Sequence, residues 1–117
     1  MRLWMVDPRK MCLQHLLGEH SESHAFRGAM ERGYSLRGYL EKGLIEPGRL
    51  KERHDALVAE FERRGLQHRT PMVFEPDWEV HLRKTKCEDL RDAKVDVEKS
   101  RRTLITRCKA CVKLLCD

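Results

Sequence analysis

The segment from Glu46 to Gly65 constrains the fold more than any other stretch of this chain. Glu46-Pro47 can open a helix, because proline at the first helical position gives up an N–H that has no partner there. Gly65 can close it by adopting the left-handed conformation that helix C-termini use. Between them Leu50, His54, Leu57 and Phe61 recur at i, i+4, i+7 and i+11, a single stripe along a helix over 48–64. A stripe of that kind needs a packing partner, and a lone histidine within it reads first as a hydrogen-bonded core residue. At 117 residues the chain is the size of one domain.

The rest of the sequence supplies partners of the same kind. Asp7-Pro8 starts a helix from about residue 8 to 32, ending at Gly33, with a break allowed near Gly18. Ser35 caps a short helix to Lys42, closed by Gly43. Pro71 and Pro76 mark residues 66–78 as a loop, followed by a polar stretch from His81 to Lys94. Asp96 then starts a last helix that ends near Cys116 and carries Leu104, Cys108, Cys111 and Leu115 on one face. The expected fold is all-α, a compact single domain over 1–117 built from three to four helices.

With 40% apolar and 37% charged residues the chain can bury a core beneath an ionic surface, which argues against disorder. No run approaches a membrane span and the first residues lack the apolar stretch of a signal peptide, so the expected location is cytoplasmic with no membrane partner. The net charge of +5 is spread along the chain and only weakly favours a polyanion. Five cysteines, an odd number, do not make a closed disulfide framework. Cys108 and Cys111 form a C-x-x-C pair that fits helical core packing, half of a zinc site, or a redox pair.

The first long helix is the unusual one. His15, Glu19, Glu22 and Phe26 share one ridge, while Leu13 and Leu17 point roughly opposite and are expected to anchor the helix. His20 and His24, four apart, flank the carboxylates on the other side. Neighbouring carboxylates raise each other's proton affinity, which suits acid–base work near neutral pH. A solvated charged face and a metal site from His15, Glu19, His20 and His24 are the alternatives.

The stretch Gln14-His15-Leu16-Leu17-Gly18-Glu19-His20-Ser21-Glu22 resembles the catalytic helix of the pyrimidine-dimer DNA glycosylases, small all-helical repair enzymes. Arg53 to Gly65 resembles that family's second long helix, so the resemblance covers residues 1 to about 69. From about residue 73 the chain diverges from the family's aromatic-rich C-terminus. The resemblance implies a glycosylase and abasic-site lyase whose nucleophile is the backbone amine at the chain start. On this chain the nucleophile falls on Met1, whose removal the bulky Arg2 should prevent, and the catalytic glutamate falls on Glu22.

His15 matches a DNA-contacting histidine and Arg2 a basic residue beside the nucleophile, and His20 and His24 join them as DNA-facing side chains. Two family arginines fall on Ser21 and on Ala25 or His24, so phosphate grip is expected from Arg27, Arg32 and Arg69. The implied partner is double-stranded DNA bent around a flipped nucleotide, with the protein acting as a monomer and no cofactor. Two other readings stand beside this one. The first is a non-catalytic nucleic-acid-binding module. The second is a small zinc protein using Cys108 and Cys111 with a histidine of the first helix.

Overall fold

The computed structural model describes residues 1–68, 71–72 and 77–115, and these residues form helices without strands. The α-helices are α1 (Leu13–Glu31), α2 (Arg37–Glu41), α3 (Leu50–Arg63), α4 (Trp78–Lys84), α5 (Val97–Arg107) and α6 (Lys109–Leu115). Short 3-10 turns occur at Pro8–Lys10, Pro47–Arg49 and Glu88–Leu90. The all-α expectation holds, but six helices among the described residues replace the expected three to four, for two local reasons.

The first reason is a helix stop that carries no glycine. α1, α2 and α3 each end in a left-handed glycine, Gly33, Gly43 and Gly65, at φ 76, 65 and 77. Each makes the paired bonds of a Schellman cap, as when Leu66 N–H donates to the Phe61 carbonyl and Gly65 N–H to the Glu62 carbonyl. α4 ends in the same motif, with Cys87 N–H on the Leu82 carbonyl at 2.7 Å, but the left-handed residue is Lys86 at φ 60. A lysine gives no stop signal in the sequence, so the stretch from His81 onward reads as merely polar.

The second reason lies at Cys108. Asp96 caps α5 as expected, its side chain accepting from Lys99 N–H at 3.0 Å. Cys108 is then extended, at φ −135 and ψ 110, and the expected single helix becomes a tight hairpin of α5 and α6. The first expected helix is also divided. Asp7 caps only the 3-10 turn, Met11 is extended and fully buried, and α1 begins at Leu13 and runs unbroken through Gly18.

α1 packs along α3, whose stripe of Leu50, His54, Leu57 and Phe61 is buried throughout. α1 buries Leu16, Glu19, Ser23, Phe26 and Met30, whereas Leu13 and Leu17, expected as anchors, are 47% and 46% exposed. The polar ridge is thus part of the packed face, because Glu19 finds a buried charge partner there. Two apolar clusters result. One joins Phe26, Met30, Leu40 and Ile45 to Leu82 and Val95, and the other joins Leu16, Leu57 and Phe61 to Leu104, Cys111 and Leu115.

The chain start is threaded between these clusters. Leu3 enters the first, Trp4 and Val6 enter the second, and Met5 turns at φ 60 to allow the reversal. Leu3 N–H donates to the Leu44 carbonyl at 2.7 Å. Burying Leu3 and Trp4, at roughly 1.5–3 kcal/mol for a large apolar side chain, fixes the first residues against the body of the protein.

Candidate active site

The anchored chain start lies against α1. The backbone N–H of Arg2 donates to Glu22 Oε2 at 3.1 Å, which leaves the Met1 amine one peptide unit, at most about 3.8 Å between successive Cα atoms, from that contact. Met1 is 48% exposed and Glu22 half-buried, so both are open to a ligand from solvent. The Arg2 guanidinium stacks 4.0 Å from the Trp4 ring centroid and donates to Ser100 Oγ at 3.0 Å. Burial, and then the nearby Arg107, lower its proton affinity, while Glu19 and Glu22 act in the opposite sense. Arg2 is therefore a wall of the site that ties the chain start to α5.

Glu19 does not join Glu22 as an acid pair. It is fully buried, and Arg53 of α3 forks onto it, Nη2 to Oε1 at 3.0 Å and Nε to Oε2. Arg53 also reaches Met11 Sδ at 3.4 Å. Arg53 lies at the start of the second stretch that resembles the family, and its residue type alone assigns it no role. Its position one residue before the stripe residue His54 was the available signal.

Five of the six histidines divide between two clusters, and His81 instead meets the Tyr34 carbonyl through Nε2 at 2.7 Å. His20 and His24 of α1 meet His54 of α3 and His68 beyond it, with ring centroids 4.7–5.0 Å apart for the pairs in contact. The nearest nitrogens, His20 Nε2 and His68 Nε2, are 3.0 Å apart. Burial lowers the His20 pKa to about 4, and the neighbouring imidazoles of His24, His54 and His68 add to the effect. His54 also meets Asp55 Oδ1 through Nδ1 at 2.9 Å, so the core-histidine expectation holds, within a cluster the sequence did not announce.

His15 goes elsewhere. Its ring is edge-on to Trp4 at 5.7 Å, and Nδ1 lies 3.2 Å from Cys12 Sγ and 3.6 Å from Cys111 Sγ. Each cluster brings four metal-ligand atoms within 4.8 Å of one another. The set of His15, Glu19, His20 and His24 that sequence spacing suggested for a metal is thus split three ways: to cysteines, to Arg53 and to histidines.

Of the expected phosphate contacts, Arg27 pairs with Glu31 at 2.8 Å and, with His24, Pro71 and Met72, lines a cleft of about 250 Å³. Arg32 is exposed at the end of α1. Arg69 lies outside the described residues. No helix among the described residues is long and apolar enough to cross a membrane.

A small all-helical domain whose first backbone amides are fastened beside a carboxylate of its first long helix is the class these features define. Residues 1–74 match the model of the family described as pyrimidine dimer DNA glycosylase, and the chain belongs to that family of DNA repair glycosylases. The match spans the chain start, α1, α2 and α3, and leaves α4 to α6 outside it. No curated protein and no solved structure matches the chain.

Proposed function

We propose that the protein is a DNA glycosylase and abasic-site lyase acting on damaged pyrimidines in double-stranded DNA, with the Met1 amine as nucleophile and Glu22 as the acid–base group. The observation that carries this reading is the Arg2 N–H to Glu22 contact, which holds the chain start beside a carboxylate inside the family segment. The neutral amine attacks C1′ of the flipped nucleoside, the glycosidic bond breaks, and the base leaves with a proton. The nitrogen lone pair of the resulting glycosylamine then expels O4′, which takes a proton, so that the C1′–O4′ bond breaks and the sugar ring opens to an iminium at C1′. Glu22 takes a C2′ proton, the C3′–O bond breaks by β-elimination, and water hydrolyses the imine to restore the amine. The carboxylate also stabilises the cationic sugar that develops at C1′.

The test is borohydride trapping on a duplex containing one abasic site, using protein with an untagged start. A trapped adduct is expected from the wild type, with none after acetylation of the amine and far less from Glu22→Gln. Binding without an adduct in the wild type would overturn the lyase reading and leave a DNA-binding module.

A further inference from the structure

We infer that Cys12, His15, Cys108 and Cys111 form a closed, four-coordinate zinc site that fastens the α5–α6 hairpin to the start of α1. The ligand types and spacings suit zinc, with one C-x-x-H pair at the N-terminus of α1 and one C-x-x-C pair at the corner of the hairpin. The distances suit it as well. Zinc–sulfur bonds of about 2.3 Å and zinc–nitrogen bonds of about 2.0–2.1 Å, set tetrahedrally, put two sulfurs about 3.8 Å apart and a sulfur and a nitrogen about 3.5 Å apart. Cys12 Sγ and Cys108 Sγ are 3.8 Å apart, and His15 Nδ1 stands 3.6 Å from Cys111 Sγ and 3.2 Å from Cys12 Sγ.

Both pairs converge through backbone features that helix packing alone does not require. Cys12 is the N-cap of α1, yet its side chain caps no amide. Cys108 breaks the last helix in an extended conformation, and that break brings its sulfur to Cys12 across 96 residues of sequence. Cys12 and Cys111 are buried, and Trp4 covers the His15 ring. Four protein ligands leave no open position, which makes the site structural rather than catalytic. Its effect is architectural, since it joins the family segment to a C-terminal part that lies outside the family match. Zinc binding displaces the thiol protons, so metal affinity falls in acid.

The full chain, purified with reductant, is expected to carry zinc at this site and to accept cobalt(II) in its place. The cobalt form should show thiolate-to-metal charge transfer in the near ultraviolet and the d–d bands of a tetrahedral site. Cys108→Ser and Cys111→Ser should each lose that signal, whereas Cys87→Ser, altering a buried cysteine outside the cluster, should keep it. Because a serine variant could fail to fold, His15→Cys provides a gain-of-signal arm. A fourth thiolate should retain the metal and raise the charge-transfer intensity by about one third. Cobalt binding without thiolate charge transfer would overturn the inference. So would metal that survives Cys111→Ser but is lost with His54→Asn, an unchanged His15→Cys spectrum, or full-length protein kept under reductant that holds no zinc and takes up no cobalt.

Discussion

Glu19→Gln separates the two carboxylates of α1 by what each one does. Glu19 is fully buried and Arg53 is 6% exposed, so the substitution leaves a guanidinium in the core without its counter-charge. Breaking a buried pair from one side costs about 3–5 kcal/mol, a large part of the roughly 5–15 kcal/mol that holds a domain folded. An unfolding entropy of about 2.1 cal/mol/K per residue gives a chain of 117 residues a shift near 4 °C per kcal/mol, so Tm should fall by about 12–20 °C. Urea unfolding followed by circular dichroism, at unchanged slope against denaturant, gives the free energy directly. Glu22→Gln is the contrast. Glu22 is half-buried and its contact is one backbone amide from which a glutamine oxygen can still accept, so stability should change by less than about 1 kcal/mol while adduct trapping falls far below wild type. Glu19→Leu combined with Arg53→Met, which removes both charges, should recover most of the stability. A Glu19→Gln protein within 1 kcal/mol of wild type would refute the assignment of Glu19 to the core.

Three further outcomes follow from local geometry. His20, facing His24, His54 and His68 with Asp55 behind His54, titrates near about 4 when folded and about 6.5 when unfolded, so the unfolded chain binds more protons between those values. Its contribution to stability is complete above pH 6.5 and is lost as the pH falls towards 4. Urea midpoints measured with chelator present should therefore decline from pH 7 to pH 5, and His20→Gln should flatten that decline. Lys86→Gly removes the cost of a side chain at φ 60 and should stabilise the protein by about 0.5–1 kcal/mol in the same assay. Gly43→Ala, at φ 65 with the new Cβ 3.0 Å from the Lys94 carbonyl, should destabilise it by more than about 1 kcal/mol.

Legibility in the sequence followed the range of the interactions. The helix from 50 to 63, its buried stripe, the glycine stops at 33, 43 and 65 and the Asp96 cap are set by neighbours within a turn or two, and all could be read from residue spacing. The family was likewise legible, because the resemblance lies in one contiguous segment. The stop at Lys86 carries no sequence signal, because a left-handed lysine is held by surrounding structure rather than by its own preference. The roles of Glu19 and His15 were also decided elsewhere. Both sit on one ridge of α1, but Arg53, 34 residues away, draws Glu19 into the core, and Cys111, 96 residues away, stands beside His15. Spacing along a helix determines which side chains share a face. Only tertiary packing decides which partner each one meets, because burial makes an unpaired charge or polar atom costly and selects the arrangement in which it is satisfied.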